Sequence, residues 1–387
     1  MGITQGFAYA RVAAGIIHGS RSFGGPFQAN ISLTDRCNLR CIHCYAYSDY
    51  HEGPSFFEIR TNQMAHQCSN DTHKKSAHRF DADFEKTNSL IETLLSLGTQ
   101  DFVFSGNGEP FLHKNILDFT ERVKRAGKTC TANTNGTILD HATIDRLITL
   151  RFDELRITTM AGTREQYEIT HPDVSSATFD RLRDNLFYLA EQKKGLRTDK
   201  PVVTLISVII SKNSETLMDF SQFAHAVRAE RVLFRPFDDY NSVDFAKLVP
   251  TAQQVASIQK QLMAITDYFD SRKIVHNIGN FLNVFRKKLN TADLYRHIPC
   301  YYGWLSARIE VDGSVYPCCR CYIPLGNIYE KEFADIWKGQ TYQRFRKTAL
   351  HINKNKTPVD GCYCNRCVHH TANLRVHRIL HPCEELY

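Results

Sequence analysis

Residues 34–45 read TDRCNLRCIHCY and set Cys37, Cys41 and Cys44 in the spacing CxxxCxxC. Three soft thiolates this close together suit iron–sulfur or zinc better than a packed apolar core. No fourth cysteine stands in the same stretch. A closed zinc site or an ordinary four-iron cluster wants four protein ligands, so three imply a cluster with one iron left open to another molecule. Spacing alone also admits three reduced cysteines grouped by chance, or part of a zinc knuckle.

The surroundings of this run have a regular rhythm. Residues 27–33 alternate as a first strand, which delivers the cysteines on the loop after its C-terminal end, where barrel folds keep their chemistry. A helix follows from Asp83 with Leu90, Ile91, Leu94 and Leu95 at helical spacing until Gly98. Strand 101–105 then leads into Gly106-Asn107-Gly108-Glu109-Pro110. Glycines there let backbone approach a ligand closely, and exposed carbonyls can accept from an ammonium group. Further units place strands at 128–133, 154–159, 202–210 and 231–235. The first of these closes in Thr134-Asn135-Gly136, the second in Thr158-Thr159, and the third is an apolar run interrupted by Ser207. Six strand-plus-helix units within residues 27–240 predict an α/β fold, a partial (βα)6 TIM-like barrel.

A second cysteine group lies downstream. After Cys300, Ile309 and Val311 precede Asp312-Gly313, and Val315 follows, the pattern of a hairpin with a two-residue turn. That hairpin brings Cys300 and Cys318 into one neighbourhood. A short helix at 333–337 and then Cys362, Cys364 and Cys367 complete a smaller C-terminal hairpin-plus-helix domain.

The CxxxCxxC run and the glycine-rich turn one strand later resemble the radical S-adenosylmethionine (SAM) superfamily. The resemblance implies that Cys37, Cys41 and Cys44 hold a [4Fe–4S] cluster whose open iron chelates SAM. Reductive cleavage of SAM then yields methionine and a 5′-deoxyadenosyl radical. His43 fills a place that is usually aromatic. The segment Gly106, Asn107, Gly108 and Glu109 resembles the family's GGEP motif, which holds the SAM amino group; Glu109 either bonds to it or braces the loop. Asn135, Thr158 and Ser207 are implied as further SAM contacts. Arg235 stands at the strand end where a substrate would meet it, a surface ion pair being the alternative. Residues 300–370 resemble the twitch domain, the shortened relative of SPASM, in which a hairpin pair and a later CxxC ligate an auxiliary [4Fe–4S] cluster. Carried over, the ligands are Cys300, Cys318, Cys364 and Cys367. Cys319 or Cys321 could stand in for Cys318, and Cys362 for Cys364. Structural zinc is the alternative for this group.

Composition narrows the setting. At 387 residues, with 42% hydrophobic and 11% aromatic residues, a barrel with a smaller appendage is expected. The expected division is a lead-in at 1–26, the barrel at 27–240, a helical bridge at 241–299, and the cluster-binding domain and tail at 300–387. No apolar run of eighteen residues suggests a membrane span, and no cleavage site suggests secretion. Thirteen cysteines falling mostly into two groups point to cluster ligation in a reducing cytoplasm rather than to a disulfide framework. The +7 charge, 48 basic against 41 acidic residues, is spread along the chain and predicts no nucleic-acid partner. Residues 46–79, with His51, His66, Cys68, His73 and His78, match no zinc spacing and suggest a solvated insertion. The short lead-in leaves no room for the leader-peptide domain that many peptide-modifying relatives carry. The expectation is therefore a dehydrogenase-like radical SAM enzyme whose layout most resembles the 2-deoxy-scyllo-inosamine dehydrogenase type. It would act on a small polar molecule and draw electrons from a low-potential donor such as flavodoxin or ferredoxin. Peptide or protein modification, a redox-neutral epimerase or lyase reaction, and a non-catalytic metal-binding module are the alternatives.

Overall fold

The computed structural model describes residues 3–48, 81–238, 243–287, 294–355 and 359–382. The insertion residues His51, His66, Cys68, His73 and His78, and the terminal Cys383, lie outside them. Six parallel strands follow the expected rhythm: β1 (Gln28–Ile31), β2 (Asp101–Phe104), β3 (Thr129–Thr134), β4 (Glu154–Thr158), β5 (Val202–Ile209) and β6 (Arg231–Pro236). Helices between them start where the sequence offers caps. Asp83 accepts from Lys86 N and Asp140 from Thr143 N, each satisfying an orphan donor of the first turn.

Alternation decides what each face of the sheet carries. Ala29, Ile31, Phe102, Phe104, Cys130, Ala132, Leu155, Ile157, Val203, Leu205, Val232 and Phe234 pack on the helices in one core. The intervening residues face the lumen and mix polar Asn30, Asn133, Arg156, Thr158, Thr204 and Arg235 with apolar Val103, Ile206, Val208 and Leu233. In register, Arg156 pairs with Thr204, Thr158 with Ile206, and Val208 with Arg235.

The structure extends the expected barrel on both sides. A short β7 (Val275–His276), from the stretch expected to be a helical bridge, adds parallel to β6. At the other edge, β8 (Ser306–Ile309) pairs parallel with β1, then β9 (Ser314–Tyr316) and β10 (Gly326–Asn327) continue antiparallel. The C-terminal hairpin is thus part of one ten-stranded sheet, and Asn30 Nδ2 donates to Ser306 Oγ across the junction at 3.0 Å. Its turn is longer than expected. Ile309 pairs with Val315, Glu310 N bonds Ser314 O, and Gly313 N bonds Glu310 O, which leaves a three-residue loop closed by Gly313 at φ +82°.

The lead-in carries a helix, Ile3–His18. Val12 and Ile16 pack on Tyr301 and Trp304, and Trp304 Nε1 donates to Arg21 O at 2.7 Å. No helix among the described residues is long and apolar enough to cross a membrane.

Candidate active site

Three loops meet at the C-terminal ends of β1, β2 and β3, joined by buried hydrogen bonds. Glu109 N donates to Arg36 O at 2.8 Å, binding the GNGEP loop to the cysteine loop. Asn107 reinforces that seam: its Nδ2 donates to Asp35 Oδ1 at 3.2 Å, and its Oδ1 accepts from the Tyr45 hydroxyl at 2.8 Å. It therefore ties both ends of the three-cysteine run, which a glycine at this place could not do. Asn135 joins the third loop to the same run, donating through Nδ2 to Asn38 Oδ1 at 2.9 Å, while Asn38 Nδ2 donates to Thr137 Oγ1.

Glu109 is 2% exposed and acts as a brace. It accepts from the Thr134 hydroxyl at 2.6 Å, from Asn135 N at 2.7 Å and from Phe111 N at 3.2 Å. Burial raises its pKa to about 7 against the pull of those three donors. The glycines of the loop serve protein packing. A Cβ on Gly108 would sit 2.3 Å from Arg36 O and 2.5 Å from Thr34 O, and one on Gly106 would sit 1.9 Å from Ser32 Oγ. The close approach expected for a ligand is made here by the cysteine loop itself.

Cys37, Cys41 and Cys44 are free and partly buried. Burial raises all three thiols, Cys37 to about 11, and Cys41 is raised further by its two partners. Three such groups are costly as isolated thiolates. A cationic cluster that accepts all three at once, each on its own iron, removes that cost, so the donor set fits a [4Fe–4S] cluster with one iron open. Among the described residues, no group of three or more His, Cys, Asp or Glu is drawn tightly enough to hold a single metal ion.

Behind the loop stands the short helix Arg164–Thr170, whose Thr170 O accepts from Ile42 N. Burial lowers His43 to about 4 and His171 to about 3, so both imidazoles are neutral. Tyr167 and His171, stacked at 4.0 Å, line this wall. Neither these two nor Asn38 was legible as a site residue, because an i,i+4 pair on a helix and an asparagine inside a cysteine spacing carry no distinguishing pattern.

Thr158 faces the lumen, whereas Thr159 turns away and bonds Ala161 O. Ser207 departs from expectation. Its register partner is Phe234, so it lies on the helix side of β5, fully buried and 3.5 Å from Asn213 Nδ2. The structure does not bring it to the lumen with Thr158. Arg235 does face the lumen at the end of β6. It is solvent-accessible, yet surrounding protein lowers its pKa by desolvation, followed by repulsion from Arg156, as expected of a side chain in a recess.

The C-terminal domain reaches this strand end, for Arg320 forms an ion pair with Asp238 just beyond β6. Cys300, Cys318, Cys364 and Cys367 are in no disulfide and gather around one small apolar cluster. Burial raises each thiol, with mutual repulsion adding for Cys300. Two of the alternative ligands are bonded to one another: Cys321 and Cys362 form a disulfide across an isolated antiparallel bridge. Cys319 is free, lies beside Cys318 and Cys367, and has its Sγ 3.2 Å from His369 Nε2. Arg308, Arg320 and Arg235 surround it. Cys321 and Cys362, each a possible substitute ligand, are thus taken up by one another, brought together by close approach across the bridge.

A partial barrel with a three-cysteine loop at its strand ends, extended by a C-terminal domain in which further cysteines gather, is the arrangement of an iron–sulfur enzyme. Residues 31–224 match the model of the radical SAM superfamily, and residues 300–368 match that of the iron-sulfur cluster-binding SPASM domain. The chain belongs to the radical SAM superfamily. Its cofactors are a [4Fe–4S] cluster and SAM, with auxiliary iron–sulfur in the SPASM region. Among curated relatives, the antilisterial bacteriocin subtilosin biosynthesis protein AlbA of Bacillus subtilis is 23% identical, over 90% of this chain and 68% of its own length. The Fe-coproporphyrin III synthase of Methanosarcina barkeri is 29% identical, over 87% and 78%. Streptococcus suis SuiB has the same fold. Solved with SAM bound, it gives a TM-score of 0.62 at 14% identity over 92% of this chain and 77% of that one. Bound to its precursor peptide SuiA, it gives 0.60 at 13% identity over 92% and 76%.

Proposed function

We propose that the protein is a radical SAM oxidoreductase that takes hydrogen from a carbon of a small polar substrate and completes a net oxidation. When bound, SAM and its cluster supply a 5′-deoxyadenosyl radical, and the auxiliary cluster supplies a one-electron acceptor. Cys37, Cys41 and Cys44 hold the first cluster. The GNGEP loop (Gly106, Asn107, Gly108, Glu109) offers SAM its backbone carbonyls, while its glycine Cα atoms and the Asn107 and Glu109 side chains brace the cysteine loop, and Asn135 and Thr158 complete the SAM-facing rim. Cys300, Cys318, Cys364 and Cys367 hold the auxiliary cluster. Arg235 orients the substrate in the recess between them. A low-potential donor such as flavodoxin or ferredoxin supplies the electron, in the reducing cytoplasm.

The observation that carries this reading is the polar lumen. Asn30, Asn133, Arg156, Thr204 and Arg235 occupy positions that a barrel closed by its own core would fill with Val, Ile or Leu. Such a wall pairs with a substrate rich in hydroxyl, amino or acidic groups. A second reading, peptide modification, is favoured by the subtilosin and SuiB relatives.

One experiment separates them. The anaerobically reconstituted protein is given SAM, a strong reductant, and either the small-molecule or the peptide fraction of perdeuterated cells. Deuterium should appear in 5′-deoxyadenosine with the small-molecule fraction. Label arising only from the peptide fraction would transfer the assignment to the second reading.

A further inference from the structure

Among the described residues a side-chain hydroxyl reaches one of the auxiliary ligands. Tyr295 Oη lies 2.9 Å from Cys367 Sγ, and Asn373 Nδ2 donates to that same oxygen at 2.8 Å. The orientation of Asn373 follows from its other end, where Oδ1 accepts the Tyr301 backbone N–H at 2.8 Å. A backbone N–H needs an acceptor, so the amide oxygen faces Tyr301 and the NH2 faces Tyr295, its second proton turned toward His369 O at 3.3 Å.

This arrangement sets the direction of the remaining bond. An amide nitrogen only donates, so the Tyr295 oxygen accepts from it. A metal-bound thiolate has no proton, so the single Tyr295 proton is the one shared with sulfur. Tyr295 and Asn373 are 4% and 0% exposed, which keeps water from competing. The His369 backbone N–H is a second donor to Cys367 Sγ, at 3.2 Å. Among the described residues, the bonds that accompany the pKa shifts of Cys300, Cys318 and Cys364 come from backbone groups, whereas Cys367 also has a side-chain donor.

We infer that Tyr295, oriented by Asn373, donates a hydrogen bond to the Cys367 thiolate and thereby raises the reduction potential of the auxiliary cluster. The inference rests on the four-ligand reading given above. Reduction adds negative charge to a cluster, and a donor to its thiolate stabilises the reduced form more than the oxidised one. Burial strengthens the effect. The bond favours a cluster that takes up an electron from substrate over one that gives it away. Tyr295 is a positioning residue in this scheme, since it acts through Cys367.

The test is an anaerobic redox titration of the full chain carrying both clusters, followed by electron paramagnetic resonance. Tyr295→Phe should lower the auxiliary midpoint by roughly a tenfold change in the reduction equilibrium, about 59 mV for one electron, and leave the N-terminal cluster unmoved. Asn373→Leu keeps the hydroxyl but removes the group that orients it, and should give a smaller shift of the same sign. An unmoved auxiliary midpoint in Tyr295→Phe, with the iron of both clusters retained, would overturn the inference and leave the four-ligand reading intact. Iron for only one cluster in the unmutated protein would overturn both. If Tyr295→Phe loses the auxiliary cluster, Asn373→Leu decides: a negative shift supports the inference and an unmoved midpoint overturns it.

Discussion

Replacing Gly108 with Ala probes the seam on which the site is built. The added Cβ would stand 2.3 Å from Arg36 O, 2.5 Å from Thr34 O and 2.9 Å from Arg36 N. Contact distance for carbon is ~3.5 Å, so the two loops must part by roughly an ångström. All three atoms are backbone and cannot swing aside. Separation sacrifices the 2.8 Å bond from Glu109 N to Arg36 O, worth ~1 kcal/mol, and overpacking adds ~1–3 kcal/mol. A loss of ~2–4 kcal/mol is expected, read by urea unfolding of the cluster-free protein. In the loaded protein, iron at Cys37, Cys41 and Cys44 should fall while auxiliary iron persists. Gly195→Ala is the control, because a Cβ there meets nothing within 4 Å, and it should be neutral or slightly stabilising. Stability within ~0.5 kcal/mol of the parent together with full iron in Gly108→Ala would refute the packing argument and return this glycine to the cofactor.

Glu109→Gln tests the buried brace through pH. Because burial raises the folded pKa from 4.5 to about 7, the unfolded chain releases its proton first. The contribution of Glu109 is therefore fully present below pH 4.5 and is lost as pH rises to 7. The difference in stability between parent and variant should shift by up to ~3 kcal/mol in the variant's favour across that window; a pH-independent difference in urea melts would show that Glu109 titrates normally. Asn107→Gly installs the doublet usual in this superfamily but removes the bonds to Asp35 and Tyr45, and should cost ~1–2 kcal/mol in thermal unfolding. A double Cys321→Ser, Cys362→Ser variant should keep its auxiliary iron, whereas Cys364→Ala should lose it. The reverse result in an iron assay would exchange the roles of Cys362 and Cys364.

Much of this molecule is written in local pattern. Period-two strands alternating with period-3.6 helices specify the barrel because each periodicity commits one face to the core. CxxxCxxC states its chemistry because three thiolates within one loop have few other uses. Ser207 shows where pattern ends: β5 carries one polar residue on each face, Thr204 and Ser207, in an otherwise apolar run, so its alternation carries no phase, and only pairing with Phe234 assigns the serine to the helix side. The N-terminal helix was illegible for a related reason, since Val12 and Ile16 are buried by Tyr301 and Trp304, which the chain brings to them from its other end. The same holds for the second site. Cysteine count and spacing identify a cluster domain, but which thiols remain free depends on Cys321 and Cys362 meeting across a bridge 41 residues apart. The donor to Cys367 likewise depends on Tyr295 and Asn373 converging from separate segments. Composition and periodicity are properties of neighbours along the chain, whereas ligand choice, strand face and hydrogen-bond direction belong to neighbours in space.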